Sequence, residues 1–323
     1  MNILTKKKRI GLSVVSLSLS AVLALPLAVG TPTASATSGK LSPHTPVSSD
    51  GTIFEAAKTF SGVVTEANGS YVKGYEGTGK KSPVKIKGGK VAPVRSAEDN
   101  EGDVSTESVI GTDERTRVTN TTTYPYRAIA HIESDIGGCT GWMIDADTVA
   151  TAGHCIYDPG SGKWASWARV YPGRNGSTAP YGYANAVNFF SVTGWTQNGD
   201  TNYDYGAIKL DKPIGDSTGW FGLRVVSGSL NGMAQNISGY PGDKTYGTQW
   251  EDADQVRETY TYKVHYANDT YGGQSGSPVY NSSSCGTCSI AIHTNGVYGG
   301  NPYNRGTRIT QEVFNNLNTW KNR

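Results

Sequence analysis

Beyond residue 108 the chain alternates short apolar runs with turn residues. The runs lie at Ala128–Ile132, Gly141–Ile144, Val149–Ala152, Ala168–Tyr171, Tyr205–Leu210, Ala234–Ile237, Thr259–Tyr266, Pro278–Tyr280 and Ile290–His293. Between them stand Gly137-Gly138, Asp158-Pro159-Gly160, Pro172-Gly173, Asn198-Gly199 and Pro241-Gly242-Asp243. Many short strands broken by Gly and Pro predict an all-β body, a sandwich or a barrel. One segment carries the other period. Ile309, Val313, Leu317 and Trp320 recur at three-to-four spacing, Thr310 stands as N-cap, and Glu312 falls in the first turn. Lys321 falls in the last turn, where a cation suits the helix dipole. A helix closes the chain.

The first third reads differently. Lys6, Lys7, Lys8 and Arg9 precede an apolar run from Ile10 to Val29, and small residues Ala34-Ser35-Ala36 follow. This is the pattern of a secretory signal peptide over residues 1–36, which places the product outside the cell. A membrane anchor is the rival reading, but Pro26 and Pro32 interrupt the run, and no later stretch approaches the roughly 18 uninterrupted apolar residues a span needs. Residues 37–107 are rich in Lys, Gly, Ser and Thr and show little periodicity. The stretch Ser96–Glu107 is polar and acidic, hence expected to be exposed and protease-sensitive. Composition alone makes this region a linker or a small wall-binding module; the functional reading is a pro-segment, residues 37–107, removed after secretion from a body at 108–323.

Charge and cysteine content narrow the classes. With 29 basic and 27 acidic residues among 323, the net charge is +2, and no electrostatic footprint for nucleic acid is present. The balance is uneven: 13 basic and 9 acidic residues precede Ser108, against 16 and 18 after it. All seven Trp and all four Cys also lie beyond residue 107. An even number of cysteines in an exported chain implies disulfides. Cys139 and Cys155 are sixteen apart, and Cys285 and Cys288 form a C-x-x-C. Nested pairing is the simplest of the three connectivities. A zinc site would need the two distant pairs to converge, and a redox C-x-x-C lacks a βαβ context.

Three segments then belong together. Val149-Ala150-Thr151-Ala152-Gly153-His154-Cys155 ends an apolar strand on a histidine; Asp204 stands at the mouth of the strand Tyr205–Leu210; Ser275 sits in the tight loop Gly272-Gly273-Gln274-Ser275-Gly276-Ser277-Pro278. A serine hydroxyl is a weak nucleophile until a neutral imidazole takes its proton, and a carboxylate must hold that imidazole in the right tautomer. Inward-turned amides must then meet the oxyanion, and glycines allow them to. Ser275 is read as nucleophile, His154 as general base and acid, Asp204 as the orienting carboxylate, and the N–H groups of Gly273 and Ser275 as the oxyanion hole. Singly, such residues are more often structural. Together, in the order His, Asp, Ser at spacings of 50 and 71 residues, they favour a triad.

At these residues the chain resembles the chymotrypsin-fold serine peptidases. T-A-G-H-C, D-Y-G-A-I-x-L and G-G-Q-S-G-S-P are similar to that family's three signatures, and the Cys139–Cys155 pair resembles the bridge it places beside the catalytic histidine. More narrowly, Val109-Ile110-Gly111, Pro241-Gly242-Asp243-Lys244 and His293-Thr294-Asn295-Gly296-Val297 resemble glutamyl endopeptidases of Bacillus type. The resemblance implies two packed antiparallel six-stranded Greek-key barrels, an active site between them, and a C-terminal helix. Residues 1–107 match in role only, as leader and propeptide.

The specificity pocket poses a conflict. Asp269, six positions before Ser275, occupies the place of the carboxylate that selects Lys or Arg in trypsin-like enzymes. The resemblance instead assigns the pocket to Thr270 and His293, with the freed α-ammonium of Ser108 supplying positive charge. A substrate carboxylate in a partly desolvated pocket needs such charge-assisted bonds. Glu107 precedes Ser108, so cleavage there fits self-processing or an activating protease of the same taste. The leading expectation is a secreted endopeptidase cutting after Glu, with Asp weaker. It would act on polypeptides as a monomer, without a membrane partner in its mature form and without a cofactor for chemistry. A structural calcium is compatible with a secreted protease, although the pairs Asp145/Asp147 and Asp252/Asp254 lack the calcium-loop spacing. The alternatives are the same triad with Lys/Arg specificity through Asp269, and an inactive protease-fold binding protein.

Overall fold

The computed structural model describes residues 40–94 and 108–323. The expected leader (1–36) and Glu107 lie outside the described residues. Within residues 41–323 three early strands join the two large sheets: β1 (Pro46–Ser48), β2 (Val64–Glu66) and β3 (Gly69–Val72). The first barrel follows with β4 (Ile129–Ser134), β5 (Gly138–Met143), β6 (Thr148–Thr151), β7 (Ala168–Pro172), β8 (Ala184–Val192) and β9 (Gly206–Leu210). They pair in the order β7-β4-β5-β6-β9-β8, and β8 closes back on β7. Every rung is antiparallel. Closure removes the free edges, which is how so many short strands are stable.

After β10 (Gly222–Val226) the second barrel is built from β11 (Ala234–Gly239), β12 (Trp250–Thr259), β13 (Lys263–Tyr266), β14 (Pro278–Ser283), β15 (Gly286–Asn295) and β16 (Asn304–Arg308). Its order is β14-β11-β12-β13-β16-β15, closed by the β14–β15 pairing. Two six-stranded antiparallel barrels are therefore present, as expected. The helix spans Gln311–Lys321, with Thr310 Oγ1 accepting from the Val313 N–H. Val313, Leu317 and Trp320 are buried, and the Trp320 ring stacks on Phe190 of the first barrel. Cysteines pair 139–155 and 285–288, the nested connectivity.

The early region is not a linker. β1 adds to the first barrel along β8, with Val47 opposite Ser191. β3 pairs antiparallel with β10, setting Val72 against Leu223, and β2 pairs with β3 in a hairpin. These strands are three or four residues long, and β1 and β3 take partners far away in sequence. A periodicity argument needs a longer run, so composition suggested a tether where the fold places edge strands.

Candidate active site

His154 lies just past the end of β6 in a short 3-10 turn, Gly153–Cys155. Asp204 follows another such turn, Thr201–Tyr203, capped by the Asp200 side chain. The two strands these turns adjoin, β6 and β9, are neighbours with Gly206 opposite Thr151, which brings residues 50 apart together. His154 Nδ1 is 2.7 Å from Asp204 Oδ2, and the His154 N–H donates to Asp204 Oδ1 at 3.0 Å. Both side chains are buried. Burial alone would push the Asp204 carboxyl up. The His154 imidazole with its hydrogen bonds, and the Lys263 ammonium, outweigh it and hold the group below the usual carboxylate range. The carboxylate is thus ionised, with one oxygen on the ring nitrogen Nδ1 and the other on the His154 backbone N–H.

Ser275 is held by the other barrel. Its loop leads into β14 and is tied back to β5: Thr140 N–H donates to the Ser275 carbonyl at 2.9 Å, and Thr140 Oγ1 donates to the Gly273 carbonyl at 2.8 Å. Cys155 Sγ, next to His154, contacts the Ser275 carbonyl oxygen at 3.6 Å. Gly273 and Gly276 have φ of 103° and 86°, a region that favours glycine. At Gly276 a Cβ would collide with Thr140 O and Thr151 Oγ1, so the loop's close approach to the histidine strand requires glycine. Thr140 has no signature of its own in the sequence. Its role arises only where the barrels meet.

Of the residues expected to line the specificity pocket, Ser108 and Thr270 meet. Thr270 N–H donates to the Ser108 carbonyl at 3.3 Å, and Asn304 Nδ2 donates to the same oxygen at 2.7 Å. Ser108 N–H donates to Asn304 Oδ1 at 3.0 Å. The Thr270 hydroxyl is buried and has no hydrogen-bond partner among the described residues. His293 sits in β15, fully buried, with Nδ1 2.7 Å from the Tyr266 hydroxyl. Burial, reinforced by His154 and Lys263, pushes His293 down to about 3, so its imidazole is neutral. Sequence reading did not single out Tyr266 or Lys263. Lys263 Nζ is buried against Thr294 Oγ1, Asn295 Oδ1 and Thr307 Oγ1, and Thr307 Oγ1 donates to the Asp204 carbonyl at 2.9 Å.

Asp269 faces elsewhere. Oδ1 accepts the Ile110 N–H and Oδ2 the Glu114 N–H, each at 2.7 Å. The motif at 241–244 serves the same segment: Asp243 pairs with Arg115 at 2.6 Å and Lys244 with Asp113 at 2.6 Å. The acidic pairs weighed for calcium are engaged within the protein, Asp147 with Lys209 and Asp254 with Arg257. Cys139, His154 and Cys155 bring potential metal-ligand atoms within 4.8 Å of one another, but the two sulfurs are joined to each other and offer no thiolate.

Comparison with known proteins agrees with this geometry. A family profile described as Trypsin matches residues 113–320. The glutamyl endopeptidase of Bacillus licheniformis is 55% identical over 87% of this chain and 89% of its own length. A Bacillus subtilis protein named extracellular metalloprotease is 46% identical over 87% of this chain and 88% of its own. A solved structure of a Glu endopeptidase in complex with MPD superposes with a TM-score of 0.63 at 36% identity, covering 67% of this chain and all of that one.

Proposed function

The chain belongs to the trypsin family, among the Bacillus-type glutamyl endopeptidases, and is a serine endopeptidase; on that premise we propose that it is exported, matures by loss of residues 1–107, and cuts after Glu, with Asp a weaker substrate. The observation that carries the reaction is the buried His154–Asp204 pair at 2.7 Å beside the Ser275 loop. Ser275 Oγ attacks the carbonyl carbon while His154 Nε2 takes its proton; Asp204 stabilises the imidazolium through Nδ1–H. The N–H groups of Gly273 and Ser275 hold the oxyanion. His154 then protonates the leaving amine, and water repeats the sequence on the acyl-enzyme, so no metal or cofactor enters a step.

Glu specificity rests on the other cluster. The buried Thr270 hydroxyl and the neutral His293 imidazole are the groups we assign to the substrate carboxylate; a Tyr266 O–H donating to Nδ1, 2.7 Å away, would leave the imidazole proton on Nε2. Ser108 already contacts Thr270 through its carbonyl, so cleavage after Glu107 turns an amide nitrogen at this wall into an ammonium without moving it far. The rival Lys/Arg reading needs a free Asp269 carboxylate, and both its oxygens are taken by Ile110 and Glu114. Peptides differing only in Glu, Asp, Lys or Phe before the scissile bond test the specificity: cleavage after Glu far above Lys is expected, and preference for Lys overturns it. Fluorophosphonate labelling of Ser275, lost in Ser275→Ala, tests the triad against the inactive binding protein. The mature form is expected to elute as a monomer without bound nucleic acid.

A further inference from the structure

The segment Val91–Val94 makes contacts that neither the triad nor the pocket requires. Val94 N–H donates to the Gly138 carbonyl at 3.0 Å, and Gly138 N–H donates to the Ala92 carbonyl at 2.7 Å. Pro93 therefore stands opposite Gly138 in a parallel bridge. In that geometry the central residue donates nothing, so a proline fits at 93, whereas at 91 or 94 it would lose a bond. Val91 N–H donates to the Tyr246 hydroxyl at 2.9 Å. Two glycines accommodate the segment: a Cβ at Gly242 would come within 2.5 Å of the Pro93 ring and one at Gly137 within 2.7 Å of the Val94 side chain, while one at Gly272 would make ordinary contact with Pro93 Cβ at 3.6 Å.

This floor adjoins the reacting groups. Gly272 precedes the oxyanion glycine, and Gly138 precedes Cys139, whose disulfide partner follows His154. We propose that Gly138, Gly242, Gly272 and Tyr246 form a peptide-docking surface beside the nucleophile whose occupant is this chain's own Val91–Val94, seated there as an uncleavable plug. The inference rests on the reading of Ser275 as nucleophile and of Glu as the preferred residue. With the acyl half of a substrate taken by Thr270 and His293, this remaining face receives the leaving half, so a segment lying on it excludes substrate. The sequence explains why the plug survives. From Gly77 to Ala97 there is no Asp or Glu, whereas Glu98, Asp99, Glu101, Asp103 and Glu107 follow closely. An enzyme that cuts after Glu can free its own new terminus yet leave the docked segment intact. Maturation then has two steps: cleavage, which completes the pocket, and loss of the plug, which opens the cleft.

The test uses the full chain. Fluorophosphonate labelling of Ser275 is read in the full-length band for the parent and for Val91→Pro/Val94→Pro, which deletes both donors to the docking surface. Each deleted bond weakens docking modestly, so labelling about tenfold faster is expected in the double variant. Equal rates overturn the proposal. No labelling in either chain, nor in the secreted processed protein, sinks the nucleophile assignment instead. In a second arm, a Lys85–Val94 peptide amide is added to the secreted processed protein. It is expected to slow hydrolysis of a Glu ester and to remain uncut, while the peptide with both prolines is about tenfold weaker. A peptide that is inert or digested overturns the proposal.

Discussion

Asp204 does two things at once, accepting from the His154 main chain and from its ring. In Asp204→Asn the amide nitrogen can turn to Nδ1 and favour the wrong tautomer, so kcat on a Glu substrate should fall about 10⁴-fold with the fold retained. A loss under tenfold would remove the carboxylate from the mechanism. Buried histidines set a pH limit on stability as well. Burial lowers His293 to about 3 and carries His131 well below its ordinary 6.5. Folded, both are neutral; unfolded, both take up protons below pH 6.5, so the unfolded state binds more protons and stability drops as pH falls through that range. Asp204, held low in the fold, adds a loss of the same sign at more acid pH. The urea midpoint should decline steadily from pH 6.5 to 4, and less steeply in His293→Phe; a flat profile would contradict the burial argument.

At the scale of elements, the C-terminal helix shows that packing rather than propensity holds a piece in place. Thr310→Ala removes one long cap bond, 3.4 Å to the Val313 N–H, and should cost about 1 kcal/mol. Trp320 is fully buried and stacked on Phe190, so Trp320→Ala should cost about 3–5 kcal/mol. Urea titration distinguishes the two, and similar costs would mean the helix is only loosely docked. The helix itself was legible because its apolar face repeats within one run of eleven residues. The barrels were legible as many short strands. Their closure through β8–β7 and β14–β15 was not, since it pairs runs whose own patterns say nothing about their partners.

Across the whole molecule, the early region is woven into both sheets, through β1 on β8 and β3 on β10. After cleavage near Glu107 the N-terminal fragment should therefore co-elute with the body under native conditions and separate in urea. A fragment that elutes alone would show these pairings to be weak. Asp269 joins the segment Ile110–Glu114 to the loop before Ser275, so Asp269→Asn, which keeps only one acceptor oxygen, should raise KM for Glu substrates severalfold without creating Lys activity. A gain of Lys cleavage would contradict that role.

The proposed trio could be read along the chain because the chemistry proposed for it demands particular residue types, and each lies in a short stretch whose glycines and apolar neighbours are local. The direction of Asp269, the clamp by Thr140, the Tyr266–His293 contact and the seat of Val91–Val94 depended on folding. Each is a bond between groups far apart in sequence, and a carboxylate or an edge strand carries no local mark of which distant donor will satisfy it.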